Sequence, residues 1–459
     1  MRISMDDTTQ KNHQDKISLT NPLENWNKTG FPKDFPIQIT DLPWQALESF
    51  PTELPDNNDL ETEVAPTDQT NNPSIPYLYF LRDDLLPLGL GTKWRKVQGI
   101  LVFLNENQIR KVLLWGSIHG NYLASFAYIL RQYGLEIECI AYSRDPQLKT
   151  YNEQMVRGHS HSIECYANRR EAYAAWLEKQ NGYPGLTLPE FGIHPSQILG
   201  LKSFWEKLKL EMEKLSGSLP SHEPRNNDRK RRPLEDQINP SQTKQETSKF
   251  TAILVLEIGS GATFLSAMDA YWGSSILVLG VMVGEPKAKW TLKVKDLQTE
   301  LGLRTIPIPL EQILELPTLD GRPIPRTPNQ VMDSIPVDHS DGDSSPDPKV
   351  LPKTNQKSAS FAKKNQALNN WIASFYRNTR ILLEPVYSGN TVYSLLREIH
   401  EMRLSFQVRG EQSRTETNIE SEFFPNKFLK RSPSGEMIPI FYLHQGGQIQ
   451  HLHLVFDRN

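Results

Sequence analysis

The sequence predicts an α/β chain of two domains, each built on a parallel sheet, with long polar insertions between the structured parts. At 459 residues the chain exceeds a single ordinary domain of about 150. Short apolar runs alternate with amphipathic stretches in the order strand, glycine-bearing turn, helix, strand, and this block occurs over 111–142 and again over 250–283. Polar residues are clumped, which accounts for a hydrophobic content of only 37% and a mean hydropathy of −0.52. No repeat at a solenoid period occurs.

Residues 1–40 are rich in Asn, Asp, Lys, Thr and Gln and read as a disordered extension. Residues 52–75 are acidic and broken by prolines, and read as an exposed loop. Tyr77 to Phe80 reads as a strand, Lys96 to Asn107 as a helix, and Lys111 to Leu114 as a buried strand closing at Trp115-Gly116. A helix over Asn121 to Tyr133 and a strand over Ile137 to Tyr142 follow. Residues 216–248, with the basic run Arg229 to Arg232, read as a disordered linker. Phe250 to Ile258 is a strand, Gly259-Ser260-Gly261 a turn, the stretch to about Tyr271 a helix, and Ser275 to Val283 another strand. Residues 320–365 are dense in Pro, Asp, Ser and Lys and read as a second disordered insertion. The domain expectation is therefore a smaller α/β domain over 97–210 and a larger one combining 41–96 with 249–459.

Composition excludes several function classes. A net charge of −3 argues against a dedicated nucleic-acid binder, and the basic run at 229–232 reads as a solvated loop. Cys139 and Cys165 are the only cysteines, too few for a disulfide framework, which suits a reducing, cytoplasmic location. No apolar run reaches the ~18–20 residues needed to span a bilayer, and the polar N-terminus does not read as a secretory signal. The spacing of His159, His161 and Cys165 matches no standard zinc pattern, so no metal is expected.

Three turns carry candidate chemistry. In Gly91-Thr92-Lys93-Trp94-Arg95-Lys96 a lysine stands at a predicted helix start, where the dipole disfavours its charged form. From the residues alone it is either a solvated side chain or an amine of lowered pKa, as Schiff-base chemistry requires. Gly259-Ser260-Gly261-Ala262-Thr263 joins a strand to a helix, so its N–H groups suit an anion, with Ser260 and Thr263 as added donors. It lacks the lysine of a nucleoside-triphosphate loop and the third glycine of a dinucleotide fingerprint. A small phosphate ligand fits it, and so does a purely structural tight turn. Gly116-Ser117-Ile118-His119-Gly120-Asn121 could hold a carboxylate or phenolate oxygen, or simply end a strand with Asn121 as helix cap.

These pieces in this order resemble the 1-aminocyclopropane-1-carboxylate deaminase / D-cysteine desulfhydrase family of pyridoxal-phosphate enzymes, of the tryptophan-synthase β fold (fold type II). Leu81 to Asp84 with Gly91 to Lys96 resembles the family's lysine-bearing segment, and Gly116 to Asn121 its Gly-Gly-Ile-Gln-Ser-Asn. Pro189-Glu190-Phe191-Gly192, continuing to Leu199-Gly200, resembles its Pro-Glu-Gly-Gly segment, and Gly259 to Thr263 its Gly-Ser-Gly-Gly-Thr. Glu384 to Asn390 resembles its Asp-Pro-Val-Tyr segment, and His444 to Gly447 its late His-Thr-Gly-Gly. The resemblance runs from about Phe50 to His453 and implies pyridoxal 5'-phosphate as cofactor, a small amino acid as substrate and a homodimer as assembly.

Residue by residue, it implies that Lys93 carries the cofactor covalently and acts as base at the substrate Cα. It implies that Asn121 bonds the phenolic oxygen, that Gly259, Ser260, Gly261, Ala262 and Thr263 cradle the phosphate, and that Gln445 lies at the cofactor. Tyr387 would lie beside the ring as a second catalytic residue. Ser117, His119, Gly120, Asn121, Tyr387 and Ser388 would face substrate, and the pyridine nitrogen would meet a neutral partner. The implied reaction is a D-cysteine desulfhydrase-like elimination giving a 2-oxo acid, ammonia and sulfide. Cyclopropane ring opening and a non-catalytic binding or regulatory protein on the same scaffold are the alternatives. The chain departs from the pattern where Gly120 replaces the family serine, Gln445 the threonine, Phe191 a glycine and Ser388 the glutamate of the cyclopropane deaminases. The phosphate and lysine parts are kept while the substrate-facing parts differ.

Overall fold

The computed structural model describes residues 35–42, 77–145, 147–217, 250–315, 366–385, 387–411 and 437–447. The stretches at 52–75, 218–248 and 320–365, residues 1–34, and His451 and His453 lie outside the described residues. The chain divides into two compact units, one taking in 93–201 with residues up to 36, the other 37–92 with residues from 202 onward.

The smaller unit holds a four-stranded sheet in the order β5-β4-β3-β6, formed by β3 (Lys111–Ser117), β4 (Glu136–Tyr142), β5 (Ser162–Tyr166) and β6 (Leu186–Leu188). All three pairings are parallel, with Leu114 opposite Cys139 on one side and Leu188 on the other. The central β3 is buried from Val112 to Gly116, the mark of a strand covered on both faces. Helix α1 (Lys93–Glu106) precedes β3, and the crossovers are α2 (Asn121–Gln132), α3 (Tyr151–His159) and α4 (Arg169–Gln180). The last two start on side-chain caps, Thr150 accepting from the Glu153 N–H and Asn168 from the Glu171 N–H. Helix α5 (Ser196–Gly217) begins in this unit and ends in the other. It runs through the first two residues of the stretch read as linker, 216–248, which corrects that boundary. Backbone meets backbone where α5 crosses α1: a side chain at Gly99 would strike the Ser196 carbonyl, and one at Gly200 the Arg95 carbonyl.

The larger unit holds a six-stranded sheet in the order β1-β2-β10-β7-β8-β9. Its strands are β1 (Ile39–Asp41), β2 (Leu78–Leu81), β7 (Ala252–Ile258), β8 (Ile276–Met282), β9 (Ile313–Glu315) and β10 (Ile440–Leu443). Only β1 runs antiparallel. Ile39 and Thr40 belong to the stretch read as disordered, and pairing with Leu81 and Phe80 overrides their polar surroundings. Every residue of β7 and of β8 is buried, and apart from Glu257 both strands are apolar, as the middle of a parallel sheet requires. The core on one face joins Phe80, Val255, Leu279 and Tyr442 to Phe375 of α9 (Gln366–Thr379) and Val392 and Ile399 of α10 (Ser388–Glu411). Helix α6 (Ala262–Ala270) follows β7, and α7 (Lys287–Thr291) and α8 (Val294–Glu300) follow β8. Among the described residues, no helix is long and apolar enough to cross a membrane.

Candidate active site

In the larger unit, motifs lying hundreds of residues apart meet at the C-terminal ends of three neighbouring strands, β2, β10 and β7. Beyond β2 the chain is braced by a buried ion pair, in which Arg82 donates from Nε to Asp84 Oδ1 at 2.8 Å and from Nη2 to Oδ2 at 2.7 Å. It then reaches Gly91, whose φ of 64° lies in the left-handed region. No side chain fits there, because the Gln445 carbonyl occupies the place of a Cβ. The Thr92 N–H donates to that same carbonyl at 3.2 Å, and the Gly447 N–H donates to the Gly89 carbonyl at 2.9 Å. The lysine-bearing segment and the late His-Gln-Gly-Gly are thus hydrogen-bonded backbone to backbone, and Lys93 is the next residue in the chain after Thr92.

Gln445 also ties this knot to β7, donating from Nε2 to the Glu257 carbonyl at 2.9 Å, two residues before the glycine turn. Gly261 caps α6 with φ 94°, and a Cβ there would meet the Trp290 ring at 2.6 Å. Beside Gly259 an added Cβ would meet nothing within 4 Å, so the turn has open space at its mouth. The Trp290 indole nitrogen packs under the turn, buried and with no hydrogen-bond partner among the described residues. Gly259 is exposed, Ser260 partly buried, and Ala262 and Thr263 buried in the first turn of α6. A turn of small residues opening a helix, with room beside it, fits a phosphate group.

The fifth motif reaches the same strand ends. His444, fully buried, hydrogen-bonds through Nε2 to the Leu382 carbonyl at 2.7 Å. Glu384 is buried and caps α10, its Oε1 accepting from the N–H groups of Tyr387 at 2.5 Å and Ser388 at 2.7 Å. The Ser388 hydroxyl accepts in turn from the Glu384 N–H at 2.8 Å, so this candidate substrate contact closes the helix start. Burial, with Glu384 and Glu257 nearby, pushes the Tyr387 phenol well above its usual range. Glu257 accepts a 2.6 Å hydrogen bond from Tyr442 across 185 residues of sequence. The sequence reading placed Glu384 in its motif but missed the buried Glu257 and Tyr442 beside it. The one available signal was Glu257 itself, an acid inside an otherwise apolar strand.

In the smaller unit the remaining two motifs lie side by side, because β3 pairs with β6. Glu190 of the Pro-Glu segment accepts from the Tyr142 hydroxyl at 2.7 Å and from Arg169 Nε at 2.7 Å. Phe191 stands where the family pattern has glycine and keeps the left-handed conformation, with φ 68°. The turn from Ser117 to Asn121 closes with the Gly120 N–H donating to the Ser117 carbonyl at 2.9 Å. The His119 ring spans two hydroxyls, Thr150 Oγ1 at 3.0 Å and Ser143 Oγ at 2.9 Å. Burial lowers its pKa below the ordinary histidine value, and the ring holds the β4–α3 loop through these two hydroxyls. Asn121 opens α2, and its Oδ1 accepts from Asn152 Nδ2 at 3.0 Å. Asn152, buried on α3, was not legible as a site residue. Lys93 opens α1, and Lys96 lies one turn on; burial and the charge of Lys93 bring the Lys96 amine down to about 7. His159 and His161 hydrogen-bond to Met155, Ile137 and Arg131, and no cluster of three metal-binding side chains occurs among the described residues.

No protein-family model matches the chain, and no curated protein matches it. Among solved structures it is similar to an ACC deaminase homologue, at a TM-score of 0.52 and 16% identity over 95% of this chain and 97% of that one. The processed form of threonine deaminase isoform 2 from Solanum lycopersicum aligns at a TM-score of 0.32 and 13% identity over 53% of each chain. A hydrogen sulfide-producing enzyme from Fusobacterium nucleatum aligns at 0.32 and 10% over 47% of this chain and 60% of that one. The full-length likeness is one of fold: the chain has the two-sheet α/β architecture of the ACC deaminase homologue, as the sequence resemblance implies.

Proposed function

We propose that this chain is a pyridoxal-phosphate-dependent enzyme acting on a small amino acid, eliminating a β-substituent in the manner of a D-cysteine desulfhydrase. One observation carries the reading: the Gly91–Thr92 segment that leads into Lys93, the Gln445–Gly447 segment and the strand feeding the Gly259–Gly261 turn are hydrogen-bonded to one another at adjacent strand ends. Parallel α/β sheets bind ligands at the carboxyl ends of their strands. The Gly259 to Thr263 turn would take the phosphate, and Lys93 Nζ would hold the cofactor covalently. When bound, pyridoxal phosphate supplies an electron sink that stabilises negative charge at the substrate Cα.

The chain's own residues do the rest. Lys93 Nζ takes the Cα proton of the substrate. Asn121 would donate to the cofactor's phenolic oxygen, and Tyr387, with its phenol held protonated, would position substrate or pass a proton. With D-cysteine and one water, the products would be pyruvate, sulfide and ammonia.

Gly120 and Ser388 favour a second reading, a protein that binds the cofactor without turnover. Gly120 offers no hydroxyl where the family has serine, and the Ser388 hydroxyl is engaged at the start of α10. Reconstitution with pyridoxal phosphate should give a visible band that borohydride fixes at Lys93 and that Lys93→Ala abolishes. A panel of D- and L-amino acids, assayed for ammonia and 2-oxo acid, then separates the readings. Release supports the enzyme, whereas a Lys93-dependent band without release supports the binding protein. A wild type with no visible band excludes both.

A further inference from the structure

Asn152 lies on the second residue of α3, 3% exposed, against the turn that carries Asn121. Its Nδ2 is 2.9 Å from the His119 carbonyl and 3.0 Å from Asn121 Oδ1. We propose that Asn152 is a positioning residue that fixes which way round the Asn121 amide stands, and so determines that Asn121 offers a hydrogen-bond donor to the cofactor's ring oxygen. This deepens the pyridoxal-phosphate reading and rests on it.

The polarity follows from one unambiguous group. A backbone carbonyl only accepts, so the Asn152 atom facing the His119 carbonyl must be the NH2. That same nitrogen faces Asn121, so the Asn121 atom there must be its oxygen. Oxygen and nitrogen leave the amide carbon in different directions, and the Asn121 NH2 is therefore turned away from Asn152. An asparagine without such an anchor can rotate its amide and present either atom. Here rotation would set two NH2 groups against each other beside a buried side chain, which is costly.

The anchor is itself held. Thr150 caps α3, accepting from the Glu153 N–H at 3.1 Å, and its hydroxyl also meets the His119 ring. The start of α3 thus grips the turn through His119 on both its ring and its carbonyl. A donor at the ring oxygen favours the ionised oxygen, so its loss changes the balance between visible and near-ultraviolet absorbance of the lysine-linked cofactor.

The test uses full-length protein loaded with pyridoxal phosphate and compares wild type, Asn121→Ala, Asn152→Ala and the double variant across a pH titration. Asn152→Ala should lower the visible to near-ultraviolet ratio about five-fold, the worth of one net hydrogen bond, as Asn121→Ala does. The double variant should fall no further than Asn121→Ala alone. If Asn152→Ala does not fold, Asn152→Asp keeps the shape, deletes the donor and should give the same spectral change. An unchanged ratio in the Asn152 variants, or a change that adds to that of Asn121→Ala, overturns the proposal. A wild type with no visible band instead overturns the cofactor reading.

Discussion

Lys96 and Asp84 show how single residues set the conditions under which this fold holds. The folded pKa of Lys96 is depressed to about 7 from 10.5, so folding favours its neutral amine. Below about pH 10 the unfolded chain takes up a proton that the folded chain refuses. Stability therefore falls as pH drops from there to about 7 and levels off below. Lys96→Met should raise Tm at pH 7.5 and flatten this dependence in protein without added cofactor. A Lys96→Met melting profile parallel to that of wild type between pH 7 and 9 would contradict it. Asp84→Ala strands the buried Arg82 charge, and breaking such a pair costs about 3–5 kcal/mol. Chemical denaturation should register most of that loss. Gly261→Ala would force a methyl into Trp290 at a left-handed position. Phosphate or pyridoxal phosphate binding, measured by calorimetry, should weaken at least as much as stability does, since the turn itself must deform.

At the scale of elements, α1 is set by its crossing with α5. The two helices touch through the Gly99 and Gly200 backbones, which leaves the lysine-bearing start of α1 little freedom to rotate. Gly99→Ala should part them and cost about 1–3 kcal/mol, the usual range for overpacking. A wild-type Tm in that variant would show that the helices do not meet as described. Element length also explains most of what was legible in the sequence, although β2, four residues of unbroken apolar character, was read as a strand too. β3, β4, β7 and β8 are seven residues each, with apolar runs long enough to identify from sequence. β1, β6, β9 and β10 have three or four residues, and their strand character comes from the neighbour they pair with. The candidate site divides in the same way. Its glycine turns were visible because a backbone requirement is written locally. Asn152, Glu257 and Tyr442 were not, because each acts on a residue that only tertiary structure brings near.

For the whole molecule, the strand order of the larger sheet matters most. β10, the last described strand, pairs with β2 on one side and β7 on the other, and so joins the first part of the unit to the middle. Deleting residues from 437 onward should remove the centre of the sheet, leaving insoluble protein that recovers no pyridoxal-phosphate absorbance. Soluble, cofactor-binding protein after that deletion would contradict the topology. Pairings across such separations also predict slow refolding, because loop closure precedes the contacts that reward it. The contact between Gly91 and the Gln445 carbonyl has a further consequence during synthesis. A ribosome must add roughly 350 further residues before the partner of residue 91 exists. Until then the neighbouring amine has no prepared surroundings, so a nascent or prematurely terminated product should be unable to capture a reactive aldehyde at that position.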